Sequence, residues 1–294
     1  MSATTRAGGE TRIGPRTFRW GERTYVMGIL NVTPDSFSGD GLLSGSAGPA
    51  TGSAVDAAVD AAVERALRMV EEGADLLDVG GESTRPGHAP VSEAMELARV
   101  VPVVAALRER LPEVPLSIDT TKPAVAEAAL DAGASLVNDV WGVGAGSLAP
   151  LAAGRGVPIV LMHNRAEPVY RDLVAEVVAD LAAAIERALA AGARESDLLV
   201  DPGIGFGKTA EQNVVLLRDL DALTALGRPI LLGTSRKSTI GRILDLPPGE
   251  RLEGTLATTA LGIAAGADIV RVHDVRANAR AARVADAIVR GWAG

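Results

Sequence analysis

Four times this chain of 294 residues runs a helical, Ala-rich stretch into Gly-Ala or its equivalent, then an apolar run, then a polar residue. The copies are Glu72-Gly73-Ala74-Asp75-Leu76-Leu77-Asp78, Ala132-Gly133-Ala134-Ser135-Leu136-Val137-Asn138, Ala191-Gly192-Ala193 leading to Leu198-Leu199-Val200-Asp201, and Ala265-Gly266-Ala267-Asp268-Ile269-Val270-Arg271. Glycine accepts the left-handed conformation that ends a helix. An apolar run without alternation fits a strand buried on both faces, as in a parallel sheet. A polar residue at the far end of such a strand stands where α/β proteins place their chemistry. One repeated phrase therefore sets the fold class and says where to look for a site.

Composition narrows the rest. Hydrophobic residues make up 47% of the chain but aromatics only 3%, so the core is aliphatic. A net charge of −8 argues against nucleic acid or an anionic membrane as partner. With no cysteine, disulfides and thiolate metal sites are excluded. The first residues are polar, without an apolar signal core, and no apolar run is long enough to span a bilayer, so the expected location is the cytoplasm.

Residues 1–10 read as a disordered terminus, and residues 11–294 as one domain. A short hairpin is expected from 17–20 to 23–25 over Gly21-Glu22. Eight strands are expected at 26–30, 76–79, 116–118, 136–137, 159–162, 198–200, 230–232 and 269–272. Between them lie helical stretches at 54–72, 92–110, 123–131, 147–153, 169–191, 211–226, 251–265 and 277–292. Eight of each in alternation predict a single α/β domain, a (β/α)8 TIM barrel with an N-terminal β-hairpin; an open doubly wound sheet is the alternative. Residues 39–53, almost all small and with Asp40 the only charge, read as an insertion or a lid after the first barrel strand.

The strand ends carry Asn31, Asp78 with Glu82, Asp119, Asn138 with Asp139, His163, Asp201, Ser235 with Lys237, and Arg271 with His273. In a barrel these converge on one rim. Asp119, Asn138 and Asp201 can read the edge of a flat heterocycle rich in N–H groups. Arg85, Lys237, Arg271 and His273 suit an anion such as phosphate, and Ser238 opens a helix whose amides suit another. Residues 203–209 resemble a phosphate loop, but Pro202 stands where its first glycine is needed. The three histidines are too scattered for a zinc motif, and His163 reads as a core or supporting residue.

Seven segments in order carry a family resemblance: Asn31-Val32-Thr33-Pro34-Asp35-Ser36-Phe37-Ser38, Asp78-Val79-Gly80-Gly81-Glu82-Ser83-Thr84-Arg85-Pro86-Gly87, Ser117-Ile118-Asp119-Thr120, Asn138-Asp139-Val140, Asp201-Pro202-Gly203-Ile204-Gly205-Phe206-Gly207-Lys208, Ser235-Arg236-Lys237-Ser238 and Arg271-Val272-His273-Asp274. From about Tyr25 to Arg290 the chain resembles the dihydropteroate synthases of folate biosynthesis. The resemblance implies a homodimeric transferase that joins 6-hydroxymethyl-7,8-dihydropterin diphosphate to p-aminobenzoate. It implies Asp119, Asn138, Asp201 and Lys237 around the pterin, and Asn31, Arg85, Arg271 and His273 around the diphosphate. Asn31 would also be a ligand of Mg2+. Phe37, Thr84, Arg85, Pro86, Phe206, Lys237 and Ser238 would surround the aminobenzoate. Asp119, Lys237, Arg271 and His273 are the catalytic candidates. Other readings are a pterin-binding paralogue without transferase activity, and a barrel aldolase using Lys237.

Overall fold

The repeat's barrel is the fold found, in a computed structural model that describes residues 9–32, 52–82, 91–144 and 146–292. Strands β1 (Gly9–Ile13) and β2 (Arg16–Trp20) pair antiparallel. Eight parallel strands follow: β3 (Tyr25–Asn31), β4 (Leu76–Gly80), β5 (Leu116–Asp119), β6 (Leu136–Asp139), β7 (Ile159–Met162), β8 (Leu198–Asp201), β9 (Leu231–Leu232) and β10 (Ile269–Val272). They lie in the order β8-β7-β6-β5-β4-β3-β10-β9. A parallel bridge from Val200 to Ile230 joins the outer pair, with the Val200 N–H donating to the Pro229 carbonyl at 3.0 Å, and so closes the ring.

The helices are α1 (Gly52–Glu71), α2 (Glu93–Arg110), α3 (Pro123–Ala132), α4 (Ala149–Arg155), α5 (Leu173–Ala190), α6 (Ala210–Arg218), α7 (Ser238–Leu244), α8 (Leu252–Ala264) and α9 (Val275–Val289). The four Gly-Ala phrases end α1, α3, α5 and α8 identically. Gly73, Gly133, Gly192 and Gly266 have φ of +108°, +118°, +97° and +114°. In each, the Gly N–H donates to the carbonyl three residues back and the Ala N–H to the one five back, at 2.9–3.1 Å. This pairing satisfies carbonyls that a helix C-terminus otherwise leaves open.

Strand alternation divides the core. Val26, Leu30, Leu77, Val79, Ile118, Val137 and Leu161 face outward and pack with helix residues such as Val104, Val125 and Leu181. A separate inner cluster holds Met27, Leu76, Leu136, Val160, Leu199, Leu231 and Ile269, together with Tyr25 and with Ile13, Phe18 and Trp20 of the hairpin. The hairpin thus plugs the N-terminal mouth, with the Phe18 ring centroid 4.7 Å from that of Tyr25 and 5.8 Å from that of Trp20. The next inward position along several strands is polar: Asp78 follows Leu76, Asn138 follows Leu136, Asp201 follows Leu199 and Arg271 follows Ile269.

Three local expectations are corrected. The hairpin turns at Gly14-Pro15 and pairs Gly9–Ile13 with Arg16–Trp20; Gly9 and Glu10, expected in the disordered terminus, are within it. Residues 23–25 cannot return along β2, because Tyr25 opens β3 in register with Ile269. The helix expected over 211–226 is instead α6 followed by a 3-10 segment, Leu220–Leu226, that ends at left-handed Gly227. Gly52 and Ser53, expected in the small-residue insertion, open α1, while residues 39–51 lie outside the described residues.

Candidate active site

A cavity of about 350 Å³ opens at the C-terminal mouth of the barrel. That is the lower end of the size range of small-molecule sites. Asn31, Asp119, Phe206, Lys237, Ser238, Arg271 and His273 all line it, so the strand ends from β3, β5 and β10 and the loops after β8 and β9 meet as expected. Asn138 and Asp201 are buried inside the barrel, 3% and 6% exposed. Phe37, Thr84, Arg85 and Pro86 lie outside the described residues.

Arg271 organises the interior. Its Nε donates to Asp78 Oδ2 and its Nη2 to Asp119 Oδ2, both at 2.6 Å. Asn138 Nδ2 donates to the same Asp78 oxygen at 3.1 Å. Burial alone would lower the Arg271 pKa, but Asp78 and Asp119 outweigh it and hold the guanidinium charged. Burial raises the Asp119 carboxyl, with Arg271 pulling the other way. Asp201 is likewise raised by burial, opposed by Lys237, and its Oδ1 accepts the Gly203 N–H at 2.6 Å. Burial pushes Lys237 down to about 8, against the attraction of Asp201.

The interior is built for a guest. Asp78 Oδ1, Asp119 Oδ1 and Ser117 Oγ are buried without a hydrogen-bond partner among the described residues. Buried polar atoms are nearly always paired, so three unpaired ones in one barrel interior call for a ligand with donors. Asp78 and Ser117 are in register on β4 and β5, and Asp119 lies two residues above Ser117 on the same face.

The rim is cationic and held in shape by loops. His273 Nδ1 lies 2.9 Å from Ser235 Oγ, which also accepts the His273 N–H at 3.1 Å. Arg236 sits at φ +57°, a strained setting for a residue with a Cβ, and is fixed by a bidentate pair with Asp274 at 2.7 and 3.0 Å. That turn aims Lys237 inward, where Nζ donates to the Ile204 carbonyl and lies 4.5 Å from the centre of the Phe206 ring. Ser238 opens α7 directly behind.

Several residues at the site were not assigned a role from the sequence. Asp78 stands among the strand-end residues without a role and Ser117 is not singled out, although alternation from Gly80 and Asp119 places both inward. Glu82 lines the cavity, accepts the Val91 N–H at 3.0 Å and pairs with Lys122, which also holds the fully buried Glu96 at 2.5 Å. Lys208 lies behind the loop after β8, and no feature of its sequence surroundings marks which atoms it reaches.

Known proteins are similar to this chain over most of its length. The family described as pterin binding enzyme matches residues 27–273. Dihydropteroate synthase of Clostridium beijerinckii is 50% identical over 281 residues, covering 95% of this chain and 99% of that protein. The structure of dihydropteroate synthase from Clostridium difficile in the presence of pteroic acid is similar with a TM-score of 0.84 at 48% identity, over 92% of this chain and 98% of that one. The Xanthomonas albilineans enzyme with 4-aminobenzoic acid gives 0.85 at 43% identity, over 96% and 98%.

Proposed function

The chain belongs to the pterin-binding enzymes and, among them, to the dihydropteroate synthases, and from that premise we propose how its own residues divide the reaction. The reaction is a transfer: 6-hydroxymethyl-7,8-dihydropterin diphosphate and p-aminobenzoate give 7,8-dihydropteroate and diphosphate. The observation that carries the residue assignment is the set of unpaired buried acceptors in the barrel interior, of which Asp119 lines the cavity, together with the cationic rim of Lys237, Arg271 and His273.

The pterin's ring N–H and amino groups are donors, and the floor is made of acceptors. Asp119, Asn138 and Asp201 read the ring edge, and Lys237 donates to its acceptors from above. Asp78 joins this set as the residue that orients Arg271 and Asn138 together. The diphosphate lies toward Asn31, Arg271 and His273, with Arg85 from the neighbouring loop. Arg271 keeps its Nη1 donors for a phosphate oxygen while Nε and Nη2 hold the carboxylates. The aminobenzoate takes the outer part of the cavity, its ring against Phe206 with Phe37, Thr84, Arg85 and Pro86, and its carboxylate toward Lys237 and the first amides of α7 at Ser238.

The C–O bond to diphosphate breaks first, and positive charge develops on the pterin methylene. Asp119 is the fixed counter-charge for that cation, preorganised by Arg271 and thus requiring no reorientation as charge appears. Arg271 and His273 hold the departing diphosphate. The neutral arylamine then attacks the methylene carbon, forming the C–N bond and releasing a proton. Among the described residues no group of three or more acidic or histidine side chains could hold a metal, and the group that would take a magnesium ion is the neutral amide oxygen of Asn31, at the wall of the cavity. That donor set fits a hard cation completed by diphosphate oxygens and water. Mg2+ bound in that way supplies positive charge to the leaving group.

A pterin-binding module without transferase activity has no use for the Ser235-Arg236-Lys237-Ser238 turn and Arg271-Val272-His273 in one cavity, which disfavours that reading. We further propose that the protein is a cytoplasmic homodimer whose single domain begins with the hairpin at Gly9. The apolar side chains left exposed on α8 and α9, Leu261, Val284 and Ile288, support a second copy as neighbour. No helix among the described residues is long and apolar enough to cross a membrane.

The test is diphosphate release from dihydropterin diphosphate and Mg2+, with and without p-aminobenzoate. Release that depends on aminobenzoate and is lost in Lys237→Ala supports the assignment. Tight pterin binding without release would return the paralogue reading.

A further inference from the structure

Behind the cavity, and not lining it, Lys208 extends its ammonium into a ring of acceptors. Nζ lies 3.0 Å from the Gly203 carbonyl, 3.0 Å from the Phe206 carbonyl and 2.9 Å from His163 Nδ1, with the His163 carbonyl at 3.5 Å. An ammonium is a donor only. With Lys208 protonated, His163 Nδ1 accepts, and the proton of this fully buried imidazole sits on Nε2, 3.1 Å from Asp180 Oδ2. Asp180 is in turn held by Arg165 at 2.7 and 3.0 Å. Burial, reinforced by the positive charge of Lys208, lowers His163 to about 4, consistent with a neutral ring. Burial, outweighing the attraction of Asp201, lowers Lys208 to about 7.

The loop gripped by this ammonium is the one that joins the two halves of the site. At one end Gly203 donates its N–H to Asp201, the pterin carboxylate. At the other end Phe206 offers its ring face to Lys237. Between them Lys237 takes the Ile204 carbonyl and Asn213 Oδ1 accepts the Gly205 N–H at 2.8 Å. Gly203, Gly205 and Gly207 all have positive φ, and between them Ile204 packs into the core, 1% exposed. A Cβ at Gly203 would lie 1.8 Å from the His163 carbonyl, which shows how closely the loop is drawn onto this strand end.

We propose that Lys208 is a positioning residue for the transfer reaction: with His163 and Asp180 as its backing, its ammonium fixes the loop that sets the aminobenzoate wall against the pterin carboxylate. The inference rests on the functional reading above for what the loop contacts, but the relay itself is independent of it.

Two measurements test it. The chain has no cysteine, so Lys208→Cys places one unique thiol, and treatment with 2-bromoethylamine restores an ammonium at nearly the lysine distance. The expected result is a rise in KM for p-aminobenzoate of about tenfold in Lys208→Cys with kcat reduced less, and recovery of most of that loss on aminoethylation. Wild-type KM in Lys208→Cys overturns the proposal, as does aminoethylation that restores the melting temperature but not KM. The second reads wild-type protein, so it does not depend on a variant folding. With only three histidines in the chain, the imidazole 15N spectrum resolves His163. The proton is expected on Nε2 with Nδ1 accepting; a proton on Nδ1 overturns the relay. Wild-type protein that shows this tautomer but no aminobenzoate-dependent release would retire the functional reading and leave the relay standing.

Discussion

The two mouths of the barrel are made by the same strands and could hardly be more different. At the N-terminal mouth, Met27, Leu76, Leu136, Val160, Leu199 and Ile269 close against Phe18, Ile13 and Trp20, and even the Trp20 indole N–H finds Thr11 Oγ1 at 2.9 Å. Two residues further along four of these strands, the inward positions are Asp78, Asn138, Asp201 and Arg271, and unpaired oxygens remain. One end spends its inward side chains on packing, the other on a guest. The hairpin is what makes this possible, because a barrel whose lower mouth is already sealed can leave the upper one open.

Substitution at each mouth should separate the two roles most widely. Phe18→Ala removes a fully buried ring and should cost about 3–5 kcal/mol of stability, read by denaturant unfolding, while the folded fraction keeps its kcat. Asp201→Ala should do the reverse: pterin affinity by calorimetry falls roughly a hundredfold, because ring donors lose a buried charged acceptor, while the fold persists. Unchanged pterin affinity in Asp201→Ala would remove the assignment of the floor as the pterin reader.

Arg271 is the place where the comparison can be broken, since it serves packing and ligand at once. Arg271→Ala leaves Asp78 and Asp119 buried without their cation, and part of its effect will be on stability. The ligand effect is separable as a ratio. Pterin carrying diphosphate should weaken roughly tenfold more than bare pterin, since charge-assisted bonds to phosphate are lost only for the former. Equal losses for the two ligands would confine Arg271 to holding the carboxylates.

The sequence made some of this contrast legible and hid the rest. The Gly-Ala phrases were readable because their cause is local: each is a left-handed turn whose hydrogen bonds span five residues. The rim was readable because strand ends in a barrel converge whatever their spacing in the chain. The hairpin was misplaced because Gly14 and Gly21 both have positive φ and both are flanked by strand-like residues. The alternation of buried Thr11 and Ile13 with buried Phe18 and Trp20 was the signal for the true turn. Asp78 acquires its role only across the barrel, from Asn138 at a separation of 60 residues and Arg271 at 193, and no local pattern carries such a pairing.

Acidity gives a finer probe of the upper mouth alone. Burial pushes Asp119 up to about 7, and the same cause brings Lys237 down to about 8. The counter-charge is present only above the first value and the ammonium only below the second. The pH profile of kcat/KM should therefore be a narrow bell, falling about tenfold per unit on its acid side. Asp78 adds to the rise of Asp119, so Asp78→Asn should move the acid limb to lower pH. A limb that stays in place would mean that Asp119 is not the group being read.

The smallest effect tests whether the lower end is purely structural. The Gly-Ala turns deliver the chain into the strands from below, far from the ligand. At Gly192, with φ of +97°, a Cβ would meet nothing within 4 Å, so Gly192→Ala isolates the backbone cost of the left-handed conformation. That cost is about 1 kcal/mol, or a fall of roughly 2–4 °C in Tm for a domain of this size. At Gly133 the same change adds a Cβ 2.7 Å from Arg108 Cγ, and the larger loss expected there measures packing on top of conformation. Neither should alter KM for either substrate. A changed KM in Gly192→Ala, with the turn strained but the core untouched, would show that strain at the lower end reaches the upper one through the strands.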